Sequence, residues 1–122
     1  MPEYAIRNVR LWVSDLARAK SFYCGLLGIQ PVAEDIEHGY LLLDTGPTTL
    51  LVELESELEE GEASAIGGFK PFSLAVSDIL STYQVLQQKG VQFDAPPEKQ
   101  YWGGTLAYFK DPDQNQLTLV QY

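Results

Sequence analysis

The sequence has few cysteines, histidines and basic residues and no long apolar run, and these scarcities exclude several classes of protein. Its 122 residues include one cysteine, Cys24, and one histidine, His38. A single cysteine excludes an intrachain disulfide and favours a reducing, cytoplasmic location. No apolar run approaches the roughly 20 residues of a membrane span, and the N-terminal residues lack the basic and apolar regions of a signal peptide. We therefore expect a cytoplasmic protein that makes no contact with a membrane.

Basic residues are also scarce. The chain has 8 Lys and Arg against 17 Asp and Glu, a formal net charge of −9 at pH 7, and a pI of about 4.4. Such a surface repels phosphate backbones, and no local basic stripe compensates, so we expect no nucleic-acid partner. The same charge attracts cationic ligands, although excess carboxylates also serve simply to keep a protein soluble.

A repeated element is the most informative feature that is present. LWVSD occupies Leu11–Asp15 and LAVSD occupies Leu74–Asp78. In both copies an alternating apolar pattern predicts a strand, and the aspartate is placed to cap the helix that follows. Helical spacing then continues to Gly28 and Gly90, which supply stop signals. The caps lie 78 − 15 = 63 positions apart, about half the chain, so the repeat predicts two similar modules.

The predicted elements follow the same order in both modules. The first has a strand over 6–13, a helix over 16–27, and strands near 31–33, 40–44 and 48–55. The second has a strand over 72–76, a helix from 79 to 90, a short strand over 91–93, a loop over 95–102, and strands over 104–109 and 116–121, with a turn at 111–115. We expect one domain over 1–122, with module one at about 4–56, an acidic linker at about 57–68 and module two at about 69–122.

These motifs resemble a known superfamily. A strand ending in V-S-D-L, a helix with S-F-Y that closes on L-L-G, W-G-G at 102–104, and F-K-D-P-D-Q-N at Phe109–Asn115 are similar to those of the vicinal oxygen chelate superfamily. It includes glyoxalase I, fosfomycin and bleomycin resistance proteins, and extradiol dioxygenases. The resemblance implies an α+β fold: two βαβββ modules form a curved mixed sheet around an open cavity, with helices on the outer face, often in a homodimer. It does not fix the chemistry, because one fold hosts many functions.

The resemblance also indicates where a metal would lie. Metal-dependent members place ligands on the first and last strands of each module, and the motifs map these positions to Asn8, Glu53, Pro71 and Thr118. Only Glu53 is a good ligand for a divalent cation. His38 lies in a predicted turn, where we expect it to face water. We therefore expect no metal and no other cofactor.

The cavity face carries the candidate ligand-binding residues. By alternation along the strands, and on the loop before the last hairpin, these are Asn8, Arg10, Trp12, Glu53, Tyr101, Trp102, Tyr108 and Thr118. An apolar, aromatic lining with a few polar anchors is typical of small-molecule sites. Trp102 either contacts the ligand or covers the sheet edge, and Trp12 either contacts the ligand or lies in a dimer interface. Cys24 is expected to have a buried apolar role.

The functional hypotheses differ in the role that they give to Glu53. Three roles are open: its charge is neutralised by Arg10, it anchors a cationic ligand, or it acts as a general base. The leading hypothesis is a metal-independent small-molecule-binding protein that resembles the bleomycin-resistance-type members and sequesters an aromatic or cationic compound, such as an antibiotic. The alternative is a glyoxalase-like lyase or isomerase with Glu53 as catalytic base and Arg10 or Tyr108 polarising the substrate. A third hypothesis is a degenerate member that acts only as an interaction module.

Overall fold

The computed structural model describes residues 3–122, which form a mixed α+β fold of two compact units. The first unit ends at Ile66 and the second begins at Gly67. The first unit contains β1 (Asn8–Val13), α1 (Leu16–Lys20) with a π-helical continuation (Ser21–Leu26), β2 (Pro31–Asp35), β3 (Tyr40–Leu43) and β4 (Thr49–Leu54). The second unit contains β5 (Gly68–Ala75), α2 (Ile79–Gln88), β6 (Gln92–Phe93), β7 (Glu98–Lys99), β8 (Thr105–Lys110) and β9 (Asn115–Gln121). Within residues 3–122 no helix is long and apolar enough to cross a membrane.

The first unit is a four-stranded sheet with its helix on one face. The strand order is β1-β4-β3-β2; β1 is parallel to β4, and the other neighbours are antiparallel. Alternation along the strands buries one face of the sheet almost completely, as the sequence predicts. These buried side chains are Leu11, Val13, Leu41, Leu43, Leu50 and Val52. The helix lies against β3 and β4 and adds the buried Phe22 and Tyr23 to this core.

The second unit repeats this order as β5-β9-β8-β6, with β5 parallel to β9. Its core lies between α2 and the face of the sheet that carries Ala107, Phe109, Leu117 and Leu119. The predicted loop over 95–102 is wrong in one detail, because Glu98–Lys99 pairs with β8. Two residues are too few to show an alternating pattern, so the sequence contained no strand signal there.

The aspartates of the repeated element cap both helices, which confirms that prediction. The Asp15 carboxylate accepts a hydrogen bond from the backbone N–H of Arg18 at 3.0 Å, and Asp78 accepts one from Ser81 at 3.1 Å. Each cap satisfies a backbone donor that has no partner inside its helix. The repeat is therefore structural at both of its occurrences.

A buried polar turn connects β8 to β9. Asp111 Oδ1 accepts from the backbone N–H groups of Asp113 and Asn115, each at 2.9 Å, and Asp111 Oδ2 accepts from Asn115 Nδ2 at 2.8 Å. Asn115 Oδ1 in turn accepts from the backbone N–H of Gly67 at 2.7 Å. Asp111 and Asn115 are both buried. The predicted turn at 111–115 thus also fixes the segment that leads into β5.

Candidate functional site

One face of the first sheet packs on the helix, and the opposite face, which we call the open face, is half-buried or exposed. β1 and β4 pair Trp12 with Glu53 and Arg10 with Leu51. β3 and β4 pair Tyr40 with Glu53 and Leu42 with Leu51. Two adjacent cross-strand rows therefore lie on the open face. The first contains Trp12, Glu53, Tyr40 and Asp35, and the second contains Arg10, Leu51, Leu42 and Ala33. Asn8 lies on the same side of β1, opposite Thr49, and is exposed.

An ion pair joins β1 and β4 on the open face. Arg10 Nε donates to Glu53 Oε2 at 2.7 Å, and Arg10 Nη2 donates to Glu53 Oε1 at 3.1 Å. This is the bidentate geometry that matches a guanidinium to a carboxylate. The hydrogen bond and the charge of Glu53 raise the pKa of Arg10 above its already high ordinary value. Both carboxylate oxygens of Glu53 therefore accept from Arg10, as the first of the three sequence hypotheses predicts.

The ion pair lies beside an aromatic ring. Arg10 and Trp12 are two residues apart on the same side of β1, and the guanidinium carbon of Arg10 lies 5.0 Å from the centroid of the Trp12 ring. The arrangement is a cation–π contact. The Arg10 side chain nevertheless keeps 54% of its surface exposed, whereas Glu53 keeps 21%. The guanidinium is thus both oriented and accessible.

The repeat allows the strand registers of the two units to be compared. Adding the repeat distance of 63 to Arg10 gives Ser73, which pairs with Thr118, whereas Arg10 itself pairs with Leu51. In register Thr118 is therefore equivalent to Leu51, two residues before Glu53 and on the same face of the strand. The pairing of β5 with β9 shifts between Phe69 and Ser73, whereas β1 and β4 pair without a shift.

The donor atoms of the mapped positions do not fit a divalent metal ion. Asn8 pairs with Thr49, and Glu53 lies four residues further along β4, or about 13 Å at the usual rise per residue. Two ligands of one ion have donor atoms within a few ångströms of each other, and Glu53 is directed to Arg10 instead. In residues 3–122 no three His, Cys, Asp or Glu side chains are grouped to hold a metal. No step of a mechanism is therefore assigned to a metal ion.

Within the second unit, two of the predicted site residues are neighbours. Tyr108 on β8 pairs with Thr118 on β9, and Ser73 on β5 pairs with Thr118 from the other side. Tyr108 is half-buried, whereas Thr118 is buried. Thr118 therefore presents little surface to a ligand, and Tyr108 is the more accessible of the two.

Trp102 makes a packing contact with its own unit. Its ring lies over Gly104, where a Cβ atom would overlap with it. It also approaches the ring of Tyr122, with centroids 5.9 Å apart, and keeps 44% of its surface exposed. Tyr101, its neighbour, is fully exposed. Trp102 thus packs against residues that flank β8 and β9, while part of its ring stays accessible.

Tyr40 and Leu42 are residues of the open face that the sequence argument missed. Their alternation with the buried Leu41 and Leu43 was available as a signal. Their position next to the Arg10–Glu53 pair depends on the register between β3 and β4, which the sequence does not determine.

His38 lies in the exposed turn between β2 and β3, as predicted, and contacts Asp35. Its backbone N–H donates to Asp35 Oδ1 at 3.0 Å, and its Nδ1 lies 2.8 Å from Asp35 Oδ2. The backbone hydrogen bond from His38, and then its side chain, lower the pKa of Asp35 below the ordinary value. The backbone N–H and the Nδ1 atom of His38 thus both contact Asp35 within the turn.

We predict that a carboxyl ¹³C titration will give Asp35 a pKa below the unfolded value of about 3.9. Because the pKa of Asp35 is lower in the folded state, its ionisation stabilises the fold at pH values above the unfolded-state pKa. This stabilisation is lost as the pH falls through the folded-state pKa. His38→Ala should raise the pKa of Asp35 only partway, because the backbone hydrogen bond remains. A wild-type pKa at or above 3.9, or one that His38→Ala leaves unchanged, would contradict this prediction.

Cys24 lies in the π-helical segment and is half-buried rather than fully buried. Burial raises the pKa of its thiol, and the charge of Glu34 adds to this, against the opposing effect of Lys20. We expect the rate at which Cys24 in the folded protein reacts with iodoacetamide to rise with pH and to reach its midpoint above about pH 8.5, the pKa of a free thiol. The same protein in denaturant is the control. A midpoint below 8.5 in the folded protein would show an activated thiol instead.

Comparisons with known proteins agree with the fold and the motifs. A family model described as the Glyoxalase/Bleomycin resistance protein/Dioxygenase superfamily matches residues 5–119. The uncharacterized protein YraH of Bacillus subtilis (strain 168) is 31% identical over 127 aligned positions, which cover 93% of this chain and 95% of the relative. A probable lactoylglutathione lyase of Synechocystis sp. (strain ATCC 27184 / PCC 6803 / Kazusa) is 28% identical over 116 positions, or 89% of this chain and 88% of that one.

A solved structure shows the same architecture over nearly the whole length. The superfamily member from Sphaerobacter thermophilus DSM 20745 matches with a TM-score of 0.84 and 31% identity, and the match covers 98% of each chain. The predicted α+β fold class and the resemblance read from the repeated motifs are therefore confirmed. This chain belongs to the glyoxalase/bleomycin resistance protein/dioxygenase superfamily.

Proposed function

We propose that this protein binds a small organic molecule without the help of a metal ion, in the manner of the bleomycin-resistance-type members of its superfamily. The observation that carries the proposal is the Arg10–Glu53 pair beside Trp12 on the open face. An oriented polar group among half-buried aromatic and aliphatic side chains is what a small-molecule site offers. We also propose ligand-binding roles for the residues predicted in the second unit, among which Tyr108 is half-buried. The others are Tyr101, Trp102 and Thr118.

Binding is favoured over catalysis by the state of Glu53. A general base needs a lone pair directed at the substrate proton, whereas both oxygens of Glu53 accept hydrogen bonds from Arg10. Proton abstraction would first require this pair to open. We therefore place sequestration of a compound, such as a toxic aromatic antibiotic, ahead of turnover.

The enzyme alternative has one observation in its favour. A relative that is 28% identical is named a probable lactoylglutathione lyase. A lyase or isomerase that uses Glu53 as its base would keep its activity in the presence of a chelator and lose it in Glu53→Gln. An activity with both properties would replace the binding proposal.

The binding proposal is tested on EDTA-treated protein whose metal content has been measured. A library of small aromatic and cationic compounds should contain members that raise Tm, since a ligand at 100 times its Kd adds about 2.7 kcal/mol of stability. Trp12→Phe should weaken the compounds that bind, and their effect should not depend on added Ni²⁺, Zn²⁺, Fe²⁺ or Mn²⁺. If no compound raises Tm, or if each needs a metal, the proposal is wrong.

We also propose that the protein acts as a cytoplasmic homodimer. Members of the superfamily to which this chain belongs commonly form oligomers, which supports this form. Sedimentation velocity at micromolar concentration should give a mass near twice 13.6 kDa, and a monomer at that concentration would exclude this form.

A further inference from the structure

The Arg10 guanidinium is restrained from two directions and still exposed. Its Nε and Nη2 atoms donate to Glu53, and the group lies 5.0 Å from the centre of the Trp12 ring. More than half of the side-chain surface nevertheless remains accessible, at 54%. Because two of the three nitrogens face Glu53 along one edge, a planar ligand reaches the group through its flat face.

From this geometry we infer that the ligand is a neutral, planar, electron-rich aromatic molecule that stacks on the exposed guanidinium of Arg10. This inference rests on the proposed binding function and specifies its ligand class. Guanidinium is planar and delocalised, and it stacks on aromatic rings in a way that a lysine ammonium does not. The bidentate pair with Glu53 has already ordered the side chain, so little additional freedom is lost when a ring stacks on it.

The surroundings of Arg10 extend the surface on which a ring can lie. Leu51 is paired with Arg10 across the parallel strands, and Leu42 is paired with Leu51 on the next strand. Both side chains are half-buried. A fused ring system that stacks on the guanidinium therefore also covers aliphatic surface, which adds a hydrophobic contribution to the contact.

The ion pair disfavours a charged ligand at this position. A cation would compete with Arg10 for the Glu53 oxygens at 2.7 and 3.1 Å and would approach a positive charge. An anion would compete with Glu53 for the same guanidinium edge and would approach a negative charge. A neutral ring stacks on the pair without breaking either hydrogen bond. Of the two ligand classes predicted from the sequence, the structure thus favours the aromatic one and disfavours the cationic one.

The test compares three probes of the same shape and different charge: 2-naphthol, 2-naphthoate and protonated 2-naphthylmethylamine. Each is titrated at pH 7 into ¹⁵N-labelled, EDTA-treated protein, and the side-chain signals of Arg10 Nε–H and Trp12 Nε1–H are followed. We expect 2-naphthol to bind most tightly and to move the Arg10 signal upfield through its ring current. Arg10→Lys, which keeps the charge and removes the planar group, should weaken 2-naphthol by about tenfold.

A second variant probes the role of the ion pair. Glu53→Gln removes the negative charge and releases the guanidinium edge, so 2-naphthoate should bind more tightly to this variant than to the wild type. Amide spectra and Tm establish that each variant is folded. The inference is overturned if the cationic probe binds most tightly, if Arg10→Lys binds 2-naphthol as the wild type does, or if none of the three probes binds. The library screen described above decides the proposed function separately, because it is open to compounds of every charge and to either unit.

Discussion

Asp111→Ala is expected to lower the free energy of unfolding by about 3 to 5 kcal/mol. The substitution removes three hydrogen bonds to a charged acceptor, each of which contributes about 1.5 to 3 kcal/mol at most, and leaves donors of Asp113 and Asn115 without this partner in a buried turn. Urea unfolding should show a lower midpoint with an unchanged slope. The loss corresponds to a decrease in Tm of about 10 °C or more for a domain of this size.

Asp94→Ala is the matched control. Asp94 is an exposed aspartate on the same unit and has a hydrogen bond from Gln116 at 2.8 Å, so its loss should cost less than about 1 kcal/mol. Asn115→Ala should be destabilising as well, since Asn115 also accepts from the backbone of Gly67. Because Asp111 and Asn115 belong to one hydrogen-bond network, the double variant should lose less free energy of unfolding than the two single variants lose together. If Asp111→Ala costs no more than Asp94→Ala, the turn does not stabilise the fold.

Much of the fold could be predicted because its signals are local. The capping aspartates need only the first turn of the helix that follows them. The alternation that buries Leu11 and Leu50 is a property of a single strand. The turn chemistry at 111–115 is likewise contained in five consecutive residues. Each of these features is visible before any long-range contact is known, and each is present in the structure.

The candidate site depends on information that is not local. Whether Glu53 lies opposite Trp12 or two residues away depends on the register of the parallel strands β1 and β4, which are separated along the chain by a helix and two other strands. The sequence predicted that Arg10 and Glu53 share a face and left the pairing as one of three possibilities. In the structure Arg10 and Glu53 form an ion pair, and Glu53 lies four residues along β4 from the residue that pairs with Asn8. Residue identity had already weighed against a metal at the mapped positions, and the register adds the separation of Glu53 from Asn8 as a second argument.

The second large effect is expected from Phe109→Ala, which should lower the free energy of unfolding by about 3 to 5 kcal/mol. Phe109 is fully buried on β8. Its ring lies 5.6 Å from Phe93, which in turn lies 4.8 Å from Tyr83 in an edge-to-face contact. This three-ring cluster joins β8, β6 and α2. Removing Phe109 leaves a cavity that the surrounding strands can fill only partly, so the transfer cost and the cavity cost add.

Phe69→Ala provides the matched control, since Phe69 lies on β5 of the same unit and is 58% exposed. Its removal should cost about 1 kcal/mol or less. Both variants are compared by urea unfolding and by near-ultraviolet circular dichroism. Phe109→Ala should change the aromatic signal, because it removes one ring of the cluster and loosens the other two. If the two substitutions cost the same, the cluster does not hold β8 against α2. Tyr108, which lies on the opposite side of β8, would then be held by its strand pairing with Thr118 and by the hydrogen bond that its carbonyl accepts from the backbone N–H of Asp94.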